Sequence, residues 1–340
     1  MEQEESMKIK VSIVLPVYNA GEYLHQCIQS LIHQTLKEIE IIIVLDCPSD
    51  GSDRIAKEYA AQDERIRIIE NNKNLRVGMS RNRGIDAAKG EYVGFCDHDD
   101  YITPDMFEVM YRNAMEYDSD IVICDVDYMN LSSGKTTVLK FPDNHGKELK
   151  EQVHNDILRN KLSGVIWNNI FRKEFLDKYK LRFGDNTIIS PDDALFLSKV
   201  FFFTDCVSHC RTNDAPYKHR IGIISTAGTY TWFNLPLAVN TAVDLHQFLS
   251  ARSLSYQQAL CIAEGRVRYL YTAFRKELTY KGKRYTIRQA HYAAKSTAVH
   301  LLLKPLFTAK GCRYMLKNLP LTKIAFAFLL YMGGLRTGKP

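Results

Sequence analysis

The 340-residue chain lacks both glycine signatures of the commonest nucleotide-binding sheets. A Gly-x-Gly-x-x-Gly turn is missing after the first predicted strand, where Pro16-Val17-Tyr18-Asn19-Ala20-Gly21 stands instead, and there is no Gly-x-x-x-x-Gly-Lys-Ser/Thr loop. Dinucleotide hydride transfer and P-loop phosphate chemistry lose their support with them. No Cys-x-x-Cys pair occurs either. The eight cysteines are scattered, and the nearest two, Cys206 and Cys210, have only His209 beside them, too few ligands for a zinc site. Reduced, mostly buried thiols are expected. No run of about 18 apolar residues is present, which argues against a spanning helix. The acidic start, Met1-Glu2-Gln3-Glu4-Glu5, does not read as a secretory signal. Internal repeats and low-complexity segments are absent as well.

Acidic residues are scarce in one part of the chain only. Residues 1–227 carry 28 Lys+Arg against 36 Asp+Glu, whereas residues 228–340 carry 17 against 3. So basic a C-terminal third points to an anionic partner. Nucleic acid is set aside, because the acidic N-terminal part would repel a phosphate backbone. An anionic membrane surface remains, and so does a solvated basic layer packed on the rest of the protein. The apolar stretch from Ile324 to Met332 is too short to cross a bilayer, but basic helices with aromatic and leucine faces suit its interface.

What the chain does have is a cluster of acids. Phe95-Cys96-Asp97-His98-Asp99-Asp100 places three carboxylates within four residues, straight after the apolar run Tyr92-Val93-Gly94-Phe95. Carboxylates that close repel one another unless a cation or a shell of donors compensates. Hard oxygen ligands at a strand end suit Mg²⁺ or Mn²⁺, which usually share their coordination sphere with substrate phosphate. An acidic surface turn capping the next helix is the alternative.

The first hundred residues alternate between strand and helix periods. Strands are predicted at Val11–Leu15, Ile39–Leu45, Ile66–Ile69 and Tyr92–Phe95, with helices over 21–34, 53–61 and 78–88 between them. That pattern indicates a doubly wound, mostly parallel α/β sheet, in which ligands bind beyond the carboxyl ends of the strands. The distinctive residues fall there: Pro16 to Asn19, Asp46, and Asp97 to Asp100. Thr103-Pro104-Asp105 reads as a helix start with Thr103 as N-cap, and the helix runs to about Tyr117. Ile121–Cys124 is a further strand and Ala194–Phe202 an apolar helix preceded by Asp192-Asp193. From about Asn234 the pattern becomes helical and basic.

Taken together these motifs resemble glycosyltransferase family 2, the inverting enzymes with the nucleotide-diphospho-sugar transferase (GT-A) fold. The resemblance covers roughly residues 9–225. It rests on Val11 to Asn19, Asp46 with Ser49-Asp50-Gly51-Ser52, Gly78 to Gly84 with Ser80-Arg81-Asn82, Gly90-Glu91-Tyr92, Asp97-His98-Asp99-Asp100, Trp167-Asn168 and Asp192-Asp193. It implies a catalytic domain over 8–227, divided into a nucleotide-sugar-binding half (8–110) and an acceptor half (111–227), and a helical basic extension over 228–340. By the same resemblance Pro16 and Tyr18 line the nucleotide base, Asp46 accepts a hydrogen bond from a uracil N–H, and Arg81 supports the acidic cluster or the diphosphate. Asp97 and His98 complete the donor-binding set. Asp99 and Asp97 hold the Mn²⁺ or Mg²⁺, Asp99 foremost, and Asp193 is the catalytic base. Tyr217-Lys218-His219-Arg220 matches a further family segment, with Arg220 a candidate for the departing diphosphate and His219 for an extra metal ligand.

Five positions depart from the pattern. Leu45 stands for the first Asp of a pair, Cys47-Pro48 for Gly-Ser, Arg76 for a common glycine, and Asp192 for the usual Glu.

The chemistry implied is single displacement. A divalent ion neutralises the leaving diphosphate, the sugar centre becomes oxocarbenium-like, and a carboxylate on the opposite face takes the acceptor's proton. The expected partners are a nucleotide diphosphate sugar, a uridine diphosphate sugar by Tyr18 and Asp46, and a glycan or lipid-linked glycan acceptor. The expected setting is surface-polysaccharide assembly in the cytoplasm, peripheral at the inner face of the membrane, without nucleic acid. A non-catalytic sugar-nucleotide or glycan-binding module is the rival from another class, though it would need no base at Asp193. A nucleotidyltransferase would need a Gly-rich, basic loop after the first strand, which Pro16 to Gly21 is not.

Overall fold

A computed structural model of the chain describes residues 8–141, 165–185, 192–210, 216–222, 235–250, 256–281 and 303–320, with isolated positions at 149, 151–152, 155, 299, 301, 323–324, 326–327 and 330. The described residues pack into two compact units. One comprises 8–141, 165–183 and 203–222; the other comprises 192–202 and the helical residues from 235 onward. The expected loop at Asn144-His145-Gly146 and the segment from Asn186 to Pro191 lie outside the described residues.

The first unit is built on a seven-stranded sheet. Strands β1 (Val11–Val17), β2 (Ile39–Leu45), β3 (Ile66–Glu70), β4 (Tyr92–Phe95), β6 (Ile121–Cys124), β9 (Asn169–Arg172) and β10 (Val207–Cys210) run in the order β10-β6-β9-β4-β1-β2-β3. Every pairing is parallel except those of β9, which lies antiparallel between β4 and β6. All seven residues of β1 and of β2 are buried, as continuous apolar strands covered on both faces should be. Pro16 fits inside β1 because its missing amide is on the β4 side, where the ladder has already stopped at Val14 opposite Phe95.

Helix α1 (Tyr23–Ile32) buries Leu24, Cys27, Ile28 and Leu31, one apolar stripe at i, i+3, i+4, i+7. After α2 (Ser52–Ala60) comes α3 (Arg76–Ala87), which lies so close to β1 that a Cβ on Gly84 would sit 2.2 Å from Val14 Cγ1. Glycine is normally unfavourable inside a helix, so close packing explains it here. Helix α4 is Met106–Tyr117 and α5 is Lys173–Lys178. The N-cap of α4 is Asp105, not Thr103 as predicted. The Thr103 hydroxyl is committed elsewhere, donating to Asp105 Oδ1 at 2.7 Å, while its N–H donates to the Pro216 carbonyl and its own carbonyl accepts from Gln34 Nε2.

A second, four-stranded sheet was not foreseen. Strands β5 (Tyr101–Ile102), β7 (Val126–Asn130), β8 (Lys135–Leu139) and β11 (Tyr217–Ile221) run in the order β5-β11-β7-β8. The acidic motif is the hand-over between the two sheets, joining β4 of the first to β5 of the second.

The second unit is helical, with α6 (Asp192–Phe203, of which Phe203 packs with the first unit), α7 (Leu235–Ser250), α8 (Tyr256–Lys281), a 3₁₀ turn (Lys304–Phe307) and α9 (Ala309–Asn318). Leu195, Ala242, Leu245, Val267, Leu306 and Met315 belong to its core. Both Asp192 and Asp193 lie within the first turn of α6, so the helix begins two residues before the predicted Ala194. Cys27, Cys96, Cys124 and Cys210 are buried free thiols; Cys47 and Cys312 are exposed. No helix among the described residues is long and apolar enough to cross a membrane.

Candidate active site

In the large sheet β1 is flanked by β2 on one side and β4 on the other, so the chain winds away from it in both directions. The crevice beyond the carboxyl ends of β1 and β4 is therefore the switch point, where doubly wound sheets bind ligands. Tyr18, Asp46, Asn71 and Asp97 each stand just past the end of one of four adjacent parallel strands, β1, β2, β3 and β4.

The loop after β1 is stitched to the loop after β2. Asn19 adopts φ 48° and its Oδ1 accepts from the Ser49 N–H at 2.8 Å. The Gly21 N–H donates to Asp50 Oδ2 at 2.9 Å, and the Ala20 N–H to Ser52 Oγ at 3.0 Å. Burial pushes the Asp50 carboxyl up, but the bonds from Ser52 and Gly21 outweigh it and hold the group below its ordinary value. Tyr18 stands at the mouth of these loops, 37% exposed, with its ring face available to a planar ligand. Pro16 is buried behind it.

Asp46 is buried, and both its oxygens are engaged within the protein. Oδ1 accepts from Asn71 Nδ2 at 2.6 Å and the Leu75 N–H at 2.7 Å, and Oδ2 from the Arg76 N–H at 2.9 Å. Asn71 also donates to Ser80 Oγ at 2.9 Å and accepts from Arg83. This carboxylate thus pins the turn from β3 into α3. Two of the sequence departures fall here, Arg76 at φ 68° and Cys47 at φ 57°. Both positions need the left-handed backbone that glycine supplies freely, and this chain holds it with other residues, Arg76 through the bond to Asp46.

The acidic motif divides its labour. Arg81, 3% exposed, donates from Nη2 to Asp97 Oδ1 at 2.9 Å, and its guanidinium lies 5.5 Å from the centre of the Phe183 ring. Asp99 is largely buried; burial and then the charges of Asp100 and Asp97 push its carboxyl up to about 6. His98 Nδ1 lies 3.9 Å from Asp99 Oδ1. Asp100, completely buried, turns away into the second sheet. Its Oδ2 accepts from Tyr217 Oη and from His219 Nδ1, each at 2.9 Å, and its Oδ1 from the Arg220 N–H at 2.9 Å. Tyr217 Oη in turn accepts from the Asp97 N–H at 3.1 Å. Trp167 stacks on Tyr217 (4.2 Å) and on His219 (4.9 Å). Burial raises the Asp100 carboxyl, and the Asp100 bond raises the His219 imidazole against the opposing effect of burial.

Arg220 is neither solvent-facing nor open toward a leaving group. Its Nη1 donates to the Asp99 carbonyl at 2.5 Å, its Nη2 to Gln26 Oε1, and the guanidinium lies over the rings of Tyr101 (4.7 Å) and Tyr23 (5.1 Å). Backbone between Asp97 and Asp100 is therefore fixed from the second sheet. That frees the Asp99 carboxylate, and the Asp97 Oδ2, for an external cation. Among the described residues no set of three His, Cys, Asp or Glu side chains stands ready to hold a metal. Two carboxylates fit an ion of the Mg²⁺ type, which completes its octahedron with water and substrate phosphate.

Asp193 is half-buried in α6, in the second unit. The sequence reasoning missed Asp100, Tyr217 and Trp167 as the frame of the motif, and Asn71 as the partner of Asp46. Asn71 carries one legible signal: it is the first residue beyond β3.

The sequence model of the family described as glycosyl transferase family 2 matches residues 12–190. EpsH of Bacillus subtilis (strain 168), a glycosyltransferase by name, is 35% identical over 221 residues, covering 65% of this chain and 63% of EpsH. The matched stretch thus spans less than two thirds of that relative. YibD of Escherichia coli (strain K12), named an uncharacterized glycosyltransferase, is 26% identical over 331 residues, 95% of this chain and 91% of YibD. Among solved structures, Staphylococcus aureus TarS 1–349 in complex with UDP-GlcNAc superposes with a TM-score of 0.72 at 17% identity, covering 96% of this chain and 89% of that one. The fold is that of the GT-A glycosyltransferases.

Proposed function

We propose that this chain, which belongs to glycosyl transferase family 2, transfers a sugar with inversion from a uridine diphosphate donor to an acceptor hydroxyl. The observation that carries the proposal is the convergence of Tyr18, the Asp46-held turn and the Asp97–Asp99 pair on the switch point of one sheet. The complex of TarS with UDP-GlcNAc supports the choice of uridine.

In this proposal the Tyr18 ring covers the base. Asp46 reads the uracil N–H with the acceptor capacity left on Oδ2, since each carboxylate oxygen can take two donors. Asp99 and Asp97 would hold Mn²⁺ or Mg²⁺, and the ion when bound neutralises charge on the leaving diphosphate. Arg81 fixes one oxygen of Asp97 and leaves the other open, while Asp100, through Tyr217, His219 and Arg220, keeps the motif's backbone from yielding. His98 joins the donor-binding surface. Asp193 takes the acceptor proton, so one base suffices for one displacement. The catalytic domain is assigned to 8–227 and the basic extension to 228–340, with a glycan or lipid-linked glycan acceptor met at the cytoplasmic face of the membrane during surface-polysaccharide assembly.

Thermal unfolding with Mn²⁺ present tests the donor. UDP at roughly 100 times its Kd should add about 2.7 kcal/mol of stability. Stabilisation by GDP without stabilisation by UDP would overturn the base assignment.

A further inference from the structure

From Leu278 to the last residue the chain has twelve Lys and Arg and no Asp or Glu. Within that span α9 is the best-described element, and its two faces differ in kind. Gly311, Met315 and Leu319 are buried, and the helix is seated tightly: a Cβ on Gly311 would lie 2.1 Å from the Pro305 carbonyl. Thr308 caps it, its Oγ1 accepting from the Gly311 N–H at 3.0 Å, and Tyr256 Oη bonds Thr308 in turn. On the opposite face the residues of described burial are all exposed. Lys310, Arg313 and Lys317 recur there at i, i+3 and i+7, forming one cationic ridge. Leu316 stands beside the ridge, 69% exposed, the most exposed large apolar side chain among the described residues. Lys304 and Leu301, both exposed, repeat the same pairing in and beside the preceding 3₁₀ turn.

We infer that this face of α9 is a docking surface for an anionic lipid bilayer. A cationic ridge alone would suit any polyanion; with a leucine held out in water beside it, the face as a whole matches a partner that is negatively charged at its surface and apolar just beneath. A rigidly seated helix also loses little freedom on docking. The inference deepens the membrane-face part of the proposed function. It is tested without sugar transfer, so its failure is distinct from failure of the donor assignment.

The experiment is co-sedimentation of the full chain with phosphatidylcholine vesicles, with and without phosphatidylglycerol. Binding should require phosphatidylglycerol and weaken as salt rises. The triple variant Lys310→Gln, Arg313→Gln, Lys317→Gln should lose on the order of 100-fold in partitioning, and Leu316→Ala about tenfold. All four side chains are exposed, so the variants should melt with the wild type, and soluble polyphosphate should respond to the triple variant but not to Leu316→Ala. No binding to anionic vesicles at low salt, equal binding to neutral ones, or wild-type binding by the triple variant would each overturn the inference. An effect of Leu316→Ala on polyphosphate equal to that on vesicles would do so too.

Discussion

Asp46→Asn should destabilise the protein by about 2–4 kcal/mol before any nucleotide is added. The magnitude follows from the three donors that converge on the buried carboxylate. An asparagine can keep its oxygen toward Asn71 Nδ2 and the Leu75 N–H, but its amide nitrogen then faces the Arg76 N–H, donor against donor. A bond to a charged acceptor is worth about 1.5–3 kcal/mol and the two bonds that are kept weaken as the charge is lost, while Asn74 Oδ1, 3.1 Å from the Arg76 nitrogen, offers that N–H a second acceptor and offsets part of the cost. The same bond holds Arg76 in the left-handed region at φ 68°, which costs a non-glycine residue about 1–2 kcal/mol. Adding Arg76→Gly to the Asp46→Asn variant should therefore recover part of the loss. Urea unfolding of the ligand-free chain, followed by far-UV circular dichroism, reads both variants. If Asp46→Asn unfolds within about 0.5 kcal/mol of wild type, inside the ordinary scatter of surface substitutions, the carboxylate is not a pin and the reasoning fails.

Asp99→Asn should reduce transfer and Mn²⁺-dependent UDP binding together, because the amide keeps the shape and loses the charge; full transfer in excess chelator would remove the metal from the proposal. Asp193→Asn should cut transfer by roughly 10²–10⁴-fold with folding and UDP binding retained, whereas Asp192→Asn should do much less; the reverse outcome would move the base by one residue. For pH, a carboxyl lifted to about 6 favours the folded state when protonated, so its contribution is lost as pH rises from about 4 through 6. A divalent ion pairs with the ionised form. The melting increment from Mn²⁺ with UDP should therefore be larger at about pH 7.5 than at about pH 5, and an equal increment at both would exclude Asp99 as a ligand.

Strand and helix periods alone located the first seven elements of the sheet, because fully buried strands such as Ile39–Leu45 and the α1 stripe Leu24, Cys27, Ile28, Leu31 write their environment directly into residue type. The switch-point residues followed, since in such a sheet chemistry sits at strand ends. What could not be read was which neighbouring carboxylate does what. Asp97, Asp99 and Asp100 are one residue type within four positions. Only the turn into β5, and contacts from Tyr217, His219 and Arg220 more than a hundred residues away, send Asp100 inward and leave Asp99 outward. Short strands of two to five residues, such as β5 and β8, carry too little periodicity to announce a second sheet.

The antiparallel strand β9 has a consequence for how the protein is made. It fills the gap between β4 and β6, yet about 75 residues separate it from the end of β4. At ribosomal speeds of about 5–20 residues per second, that gap takes roughly 4–15 s to synthesise. Throughout it β4 presents one bare edge, and from the moment β6 is made until β9 follows, β6, whose other neighbour β10 comes later still, has no strand partner at all. Both are wholly apolar and would pair with any exposed edge nearby. An N-terminal fragment ending near residue 110 would thus keep the carboxyl ends of β1 to β4 and, with the β4 edge still bare, be prone to aggregate.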